Sequence, residues 1–260
     1  MLRTLAHGPD SPVDRVPLLI VHGLYGSARN WGVIARRMAD ERPVLSVDMR
    51  NHGESFWADS HSYPDMAADL AEVIDALGGQ ADVLGHSMGG KAAMTLALAD
   101  PAKVRRLIVA DIAPVAYGHD QSRYIQAMRG LDLTGVATRG EADRRLAATV
   151  PEEGVRAFLL QSLDLKADPP RWRLNLDVLE RDMAGIVGWH APAGRFDGPA
   201  LFLSGASSQY VQPEHRDPIR AQFPAARFAK IPGAGHWLHA EKPREFEAAV
   251  RVFLDRAGTA

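Results

Sequence analysis

The stretch at residues 83–93, "VLGHSMGGKAA", decides the fold, and it supports two incompatible readings. From Gly85 it runs G-x-x-x-x-G-K, one residue short of a loop that cradles phosphate. It also runs G-x-S-x-G, the sharp turn that lifts a nucleophilic serine above a sheet. Both need a buried strand running into a helix, so local context serves either. The phosphate reading fails at the next position, where a hydroxyl must hold magnesium and the chain has Ala92. The serine reading depends on what the rest of the chain supplies.

Outward from this stretch, short and mostly apolar runs recur at residues 17–21, 44–47, 81–84, 107–110, 200–203 and 227–231. Continuous rather than alternating apolar character suits parallel strands covered on both faces. Helical stripes lie between them, such as Met66, Leu70, Ile74 and Leu77, or Phe246, Val250, Phe253 and Leu254. The pattern predicts an α/β fold with a mostly parallel, doubly wound sheet, whose ligands sit at the carboxyl ends of the strands. Between about 115 and 195 the alternation stops. Consecutive helices are expected there, with Tyr124, Ile125, Met128 and Leu131 on one face, Val155, Phe158 and Leu159 on another, and Trp172, Leu176, Leu179 and Met183 on a third. Residues 1–114 and 196–260 are therefore read as the core, and 115–195 as an inserted helical cap over the sheet's working edge.

Composition narrows the function classes. With 260 residues the chain is long enough for one large domain with an insertion. A formal net charge of −2 gives no electrostatic reason to expect nucleic acid or an anionic membrane as partner. The absence of cysteine excludes disulfides, thiolate catalysis and cysteine zinc sites. No apolar run is long enough to span a bilayer, and the N-terminal residues lack the apolar stretch of a secretory signal, so a cytoplasmic location is expected. Oligomeric state is not legible.

A serine hydroxyl needs an adjacent base to attack a carbonyl at neutral pH, and on this architecture the partners follow in the order serine, acid, histidine. His236, in "PGAGHWLHAEKP", follows the last predicted strand and can reach back to Ser87. His239 is expected to face away. The pair could in principle bind metal, but no third ligand of matching spacing stands out. The developing oxyanion needs two aimed N–H donors. The amide of Met88, at the positive end of the following helix, is one candidate, and the amide of Leu24, in "VHGLYGS", is the other.

Together "LLIVHGLYGSARNW", "VDMRNHGES", "VLGHSMGGKAAM", "VADIAPV" and "IPGAGHWLHAEKP" resemble the α/β-hydrolase superfamily, and within it the small bacterial esterases of the YbfF type. The similarity spans essentially the whole chain. It implies hydrolysis of small to medium acyl esters or acyl thioesters without a cofactor, and it assigns Lys91 to the helix after the serine rather than to a phosphate.

The chain departs from the common superfamily pattern at the acid. The turn after the first strand beyond the cap reads Gly205-Ala206-Ser207-Ser208-Gln209-Tyr210, without a carboxylate, and Glu214 and Asp217 should already lie on a helix. Asp111, in "LIVADIAPV", ends the preceding strand on the same edge and is the preferred acid. Asp197 stands at the wrong end of its strand, while Asp177 and Asp182 in the cap remain rivals. Arg50, Asn51 and Ser55 follow the next strand end, in a loop expected to buttress the oxyanion loop with Asn51 and Ser55 as structural hydrogen-bonding groups. Tyr25, Trp172, Tyr210 and Trp237, with Met88, are candidates to line an apolar acyl pocket. Two alternatives stay open: another serine-dependent reaction, such as carbon–carbon bond hydrolysis or perhydrolysis, and a non-catalytic binder that keeps the fold.

Overall fold

The apolar runs of the sequence become strands of one sheet in a computed structural model, which describes residues 1–8, 14–118, 121–190 and 192–256. In chain order the strands are β1 (Arg3–His7), β2 (Leu18–Val21), β3 (Val44–Asp48), β4 (Ala81–His86) and β5 (Val104–Ala110), then a small separate ladder, β6 (Leu163–Asp164) with β7 (Arg171–Trp172), and finally β8 (Ala200–Gly205) and β9 (Ala226–Ile231). The main sheet has the order β1-β3-β2-β4-β5-β8-β9. Every pairing in it is parallel except that of β1, which runs antiparallel to β3 along the edge.

Because side chains alternate across a strand, the central strands feed two separate cores. Leu19, Val21, Val83, Leu107 and Val109 pack on one face beneath α2 (Tyr63–Ala76) and α3 (Met88–Ala99). Leu18, Ile20, Leu84, Ile108 and Leu203 pack on the other, with α1 (Gly32–Met38) and α11 (Pro243–Arg256) among the elements that cover them. Cover on both faces is what the unalternating strand sequences require.

Between β5 and β8 stand α4 (Ser122–Arg129), α5 (Arg139–Leu146), α6 (Glu153–Leu159), α7 (Leu176–Arg181) and α8 (Met183–Val187). Two expectations need correction. The segment is not wholly helical: Trp172 belongs to the β6–β7 ladder rather than to a helix face with Leu176. The edge strand β1 has no counterpart among the predicted strands, since a short, half-exposed edge strand carries no continuous apolar run. After β8 come α9 (Arg216–Gln222) and, beyond β9, the short α10 (Leu238–Glu241). Among the described residues no helix is long and apolar enough to cross a membrane.

Candidate active site

The site grows out of the carboxyl ends of adjacent strands. Ser87 follows β4 directly and holds φ 52°, ψ −120°, a region costly for a residue with a Cβ and characteristic of functional turns. The two motif glycines make the turn possible. A Cβ on Gly85 would stand 2.2 Å from the Gly89 carbonyl oxygen, and one on Gly89 would stand 2.4 Å from that of His22. The strand ladders anchor the residues just past the strand ends. The Ser87 amide donates to Ala110 O at 3.0 Å, and the Asp111 amide to Leu203 O at 2.9 Å. The serine and the carboxylate are thus fixed by an extension of the hydrogen bonding that holds β4, β5 and β8 together.

Asp111 is fully buried, at 0% exposure. Its Oδ2 accepts from His236 Nδ1 at 2.7 Å and from the Ser208 hydroxyl at 2.5 Å, while Oδ1 accepts from the Gly205 amide at 3.1 Å. The turn that lacks a carboxylate therefore supplies hydrogen-bond donors to Asp111 instead. Gly205 also admits the His236 loop, because a Cβ there would meet Gly235 O at 2.2 Å. The bond to Asp111 fixes the orientation of the His236 ring through Nδ1 and leaves Nε2 on the other side of the ring. The Tyr210 ring stacks on the imidazole at 4.0 Å between centroids, and His86 Nε2 donates to the main-chain carbonyl of His236 at 2.9 Å.

Ser87 and His236 line one cavity of about 230 Å³, together with Leu24, Tyr25, Met88, Tyr210 and Trp237. Among the described residues the Ser87 hydroxyl and the amides of Leu24 and Met88 have no hydrogen-bond partner. Buried amides are normally paired, so two orphan donors beside a serine form a place for negative charge. The Met88 amide lies at the N-terminus of α3, where the helix dipole adds to it.

Trp172 does not reach this cavity, contrary to expectation. Its indole donates to Met128 O at 2.8 Å, which turns the ring into the packing of the β5–β8 segment. His239 also departs from expectation: it is buried, stacks on Trp31 at 4.0 Å and faces the cavity. Among the described residues no group of three metal-ligating side chains converges around it or elsewhere. The rival carboxylates are engaged away from the cavity. Asp177, with an 89% exposed side chain, pairs with Arg129, and Asp182 pairs with Arg181 and accepts from the His61 amide.

Sequence reasoning missed a set of buried histidines behind the Leu24 loop. His22 donates from Nδ1 to Gly23 O and accepts the Met49 amide on Nε2 at 3.0 Å. His52 donates from Nδ1 to Arg50 O and accepts the Tyr25 amide on Nε2 at 3.1 Å. Each ring bridges two backbone groups only when neutral, and burial enforces that state, drawing His22 down to about 4 and His52 to about 3. His61, next to His52, is likewise pushed well below its ordinary value by burial and contacts Met88 Sδ. Asp48 joins the same two loops, accepting the amides of Ala28 at 2.7 Å and Glu54 at 2.8 Å. Asn51 and Ser55 are structural hydrogen-bonding groups, Asn51 Oδ1 accepting from Ala58 and Asn175 and the Ser55 hydroxyl donating to Asp48 O, but these bonds do not reach the Leu24 loop, which His52 and Asp48 hold instead. The visible signal was a histidine just past the strand end in both "VHG" and "RNHG".

A serine on a strained turn, a histidine paired to a buried carboxylate and two amides without partners thus meet at one edge of the sheet. The family model for the α/β hydrolase fold matches residues 16–243. The chain belongs to the α/β-hydrolase fold family, on its esterase side. It is 42% identical over 244 residues to esterase YbfF of Escherichia coli, covering 92% of this chain and 93% of that one. To the sn-1-specific diacylglycerol lipase ABHD11 of Mus musculus it is 41% identical over 246 residues, covering 91% of this chain and 80% of that protein. A solved marine microorganism esterase superposes with a TM-score of 0.91 at 38% identity, covering 97% of this chain and 98% of the other. Relatives named as esterases and a lipase support a hydrolase of the ester-cleaving kind.

Proposed function

We propose that the protein is a serine hydrolase that cleaves small to medium acyl esters or acyl thioesters through an acyl-enzyme, with Ser87 as nucleophile, His236 as base, Asp111 as orienting acid and the Leu24 and Met88 amides as oxyanion donors. The observation that carries this reading is the 2.7 Å bond from His236 Nδ1 to the fully buried Asp111, at the cavity that Ser87 also lines. In the reaction His236 Nε2 takes the hydroxyl proton as Ser87 attacks the acyl carbon. The oxyanion is held by the two amides, and the alcohol or thiol leaves with the proton. Water, activated by the same imidazole, then releases the acid. The β5–β8 segment, residues 115–195, acts as the cap over this site, with Tyr25, Tyr210 and Trp237 lining the acyl pocket.

Replacing Ser87 by Ala should lower turnover of a nitrophenyl ester by roughly 10⁴–10⁶, and a fluorophosphonate probe should label the wild type and not the variant. Retained turnover in the variant would exclude Ser87 as nucleophile. Acyl-CoA thioesters and nitrophenyl esters of matched chain length, compared by kcat/KM, decide between oxygen and thiol esters.

A further inference from the structure

Among the buried basic groups that the mechanism does not use, Lys91 stands out at the cavity. Lys91 stands on the first turn of α3, four residues beyond Ser87, with 1% exposure. Burial without a compensating carboxylate draws its pKa down from 10.5 to about 7, a sign that its position is costly. Its Nζ donates to two main-chain carbonyls at the end of α8, Val187 O at 2.9 Å and Gly188 O at 2.6 Å. These bonds do not depend on the charge, because a neutral amine keeps two N–H donors.

The same helix end is held from other elements. The Tyr63 hydroxyl, on α2, donates to Ile186 O at 2.6 Å, and the Tyr117 amide donates to Val187 O at 3.0 Å. A helix C-terminus leaves its last carbonyls without partners. Here the carbonyls of 186, 187 and 188 are all taken by groups outside the helix. Ile186 and Val187 line the cavity, and so do Tyr63, Lys91, Ile112 and Tyr117. Of this set Tyr63, Lys91, Ile112 and Ile186 are buried, whereas Phe158 and Trp237, which also line the cavity, are only half-buried. An alcohol or thiol must depart to solvent while the acyl group stays on Ser87. The enclosed end, on the serine's own helix, is therefore the end that receives the acyl chain.

We propose that Lys91 and Tyr63, by pinning the Ile186–Gly188 carbonyls, fix the closed end of the cavity and so limit the length of acyl chain the enzyme accepts. This assignment rests on the serine-hydrolase reading and adds a specificity-determining role that the triad does not supply.

The test is a series of p-nitrophenyl esters from acetate to decanoate, read as the ratio of kcat/KM for decanoate to that for acetate. Wild type, Lys91→Met and Tyr63→Phe are compared, with thermal melts to confirm folding. Both variants should raise the ratio, Lys91→Met by about tenfold, the scale of a pocket-depth change of a methylene or more, and Tyr63→Phe by less. If Lys91→Met does not fold, Tyr63→Phe decides alone, since it keeps the ring and removes one hydrogen bond. Rates that change while the ratio stays fixed in the folded variants make the contacts merely structural and overturn the proposal. Failure of the wild type to show Ser87-dependent acetate turnover overturns the hydrolase reading and this proposal with it. Normal acetate turnover with an unmoved ratio overturns this proposal alone.

Discussion

Two groups of histidines stand at the same sheet edge and are put to opposite uses. His22, His52 and His61 are buried, tilted against one another at 5.1 and 5.2 Å between ring centroids, and pushed by desolvation into the neutral state. His236 is 22% exposed and bonded to a carboxylate. In His22 and His52 a neutral imidazole with both nitrogens bonded to backbone is a rigid spacer, and it holds the loop that carries the Leu24 amide. An imidazole with one nitrogen on a carboxylate and the other at a cavity can take and return a proton. The difference lies in the partners, since the ring is the same.

The comparison breaks most sharply at Asp111. Asp111→Asn keeps the size and burial of the side chain but removes the charge that orients and stabilises the protonated ring. It should cost about 10⁴ in kcat with the melting temperature nearly preserved. A loss below about tenfold would move the orienting role to another carboxylate.

The buried group makes its own prediction in acid. Its folded pKa values, about 4 for His22 and about 3 for His52, lie below the ordinary value of 6.5. The unfolded chain therefore binds protons that the folded chain refuses. The stability these rings contribute is present above pH 6.5 and is lost as pH falls through the folded values, on the order of 3–5 kcal/mol per ring. Melting temperature recorded from pH 7.5 to 4 should fall steeply below 6.5. A flat profile would mean that the rings are not neutral spacers.

Much of this arrangement is legible in the amino-acid sequence. The strands announce themselves because burial on both faces forbids polar alternation, and Ser87 does so because Gly85 and Gly89 can only be glycine where backbone oxygens approach to within 2.5 Å of a would-be Cβ. Asp111 is reached through the resemblance and the missing carboxylate in the 205–210 turn. Of the buried histidines the sequence shows only that one follows each of two strand ends, since a histidine in a loop sequence carries no mark of whether both its nitrogens meet backbone. Trp172 is misplaced for a related reason: an aromatic at helical spacing says nothing of where its N–H finds an acceptor, and Met128 O supplies one inside the segment's own packing.

A milder change tests one of the buried spacers directly. His52→Phe fills the same space but removes the ring nitrogens that accept from the Tyr25 amide and donate to Arg50 O. Stability should drop by about 1–3 kcal/mol, the cost of buried groups left unpaired, and the acid-induced loss of melting temperature should become shallower. Activity should fall only by about tenfold, through a loosened Leu24 loop rather than lost proton transfer. A loss as large as that of Asp111→Asn would place His52 in the chemistry and erase the distinction between the two groups.

The smallest effect tests the other side of the comparison. Ser208 donates to the same Asp111 oxygen that holds His236, so Ser208→Ala leaves the carboxylate charged and still bonded to the Gly205 amide and the imidazole. One hydrogen bond to a charged acceptor is worth about 1.5–3 kcal/mol. Only part of that reaches the transition state, because the remaining donors keep Asp111 in place, and kcat should fall by about fivefold. If the loss instead matches that of Asp111→Asn, the orientation of the carboxylate, more than its charge, governs His236, and the 205–210 turn has taken over the work of the acid it lacks.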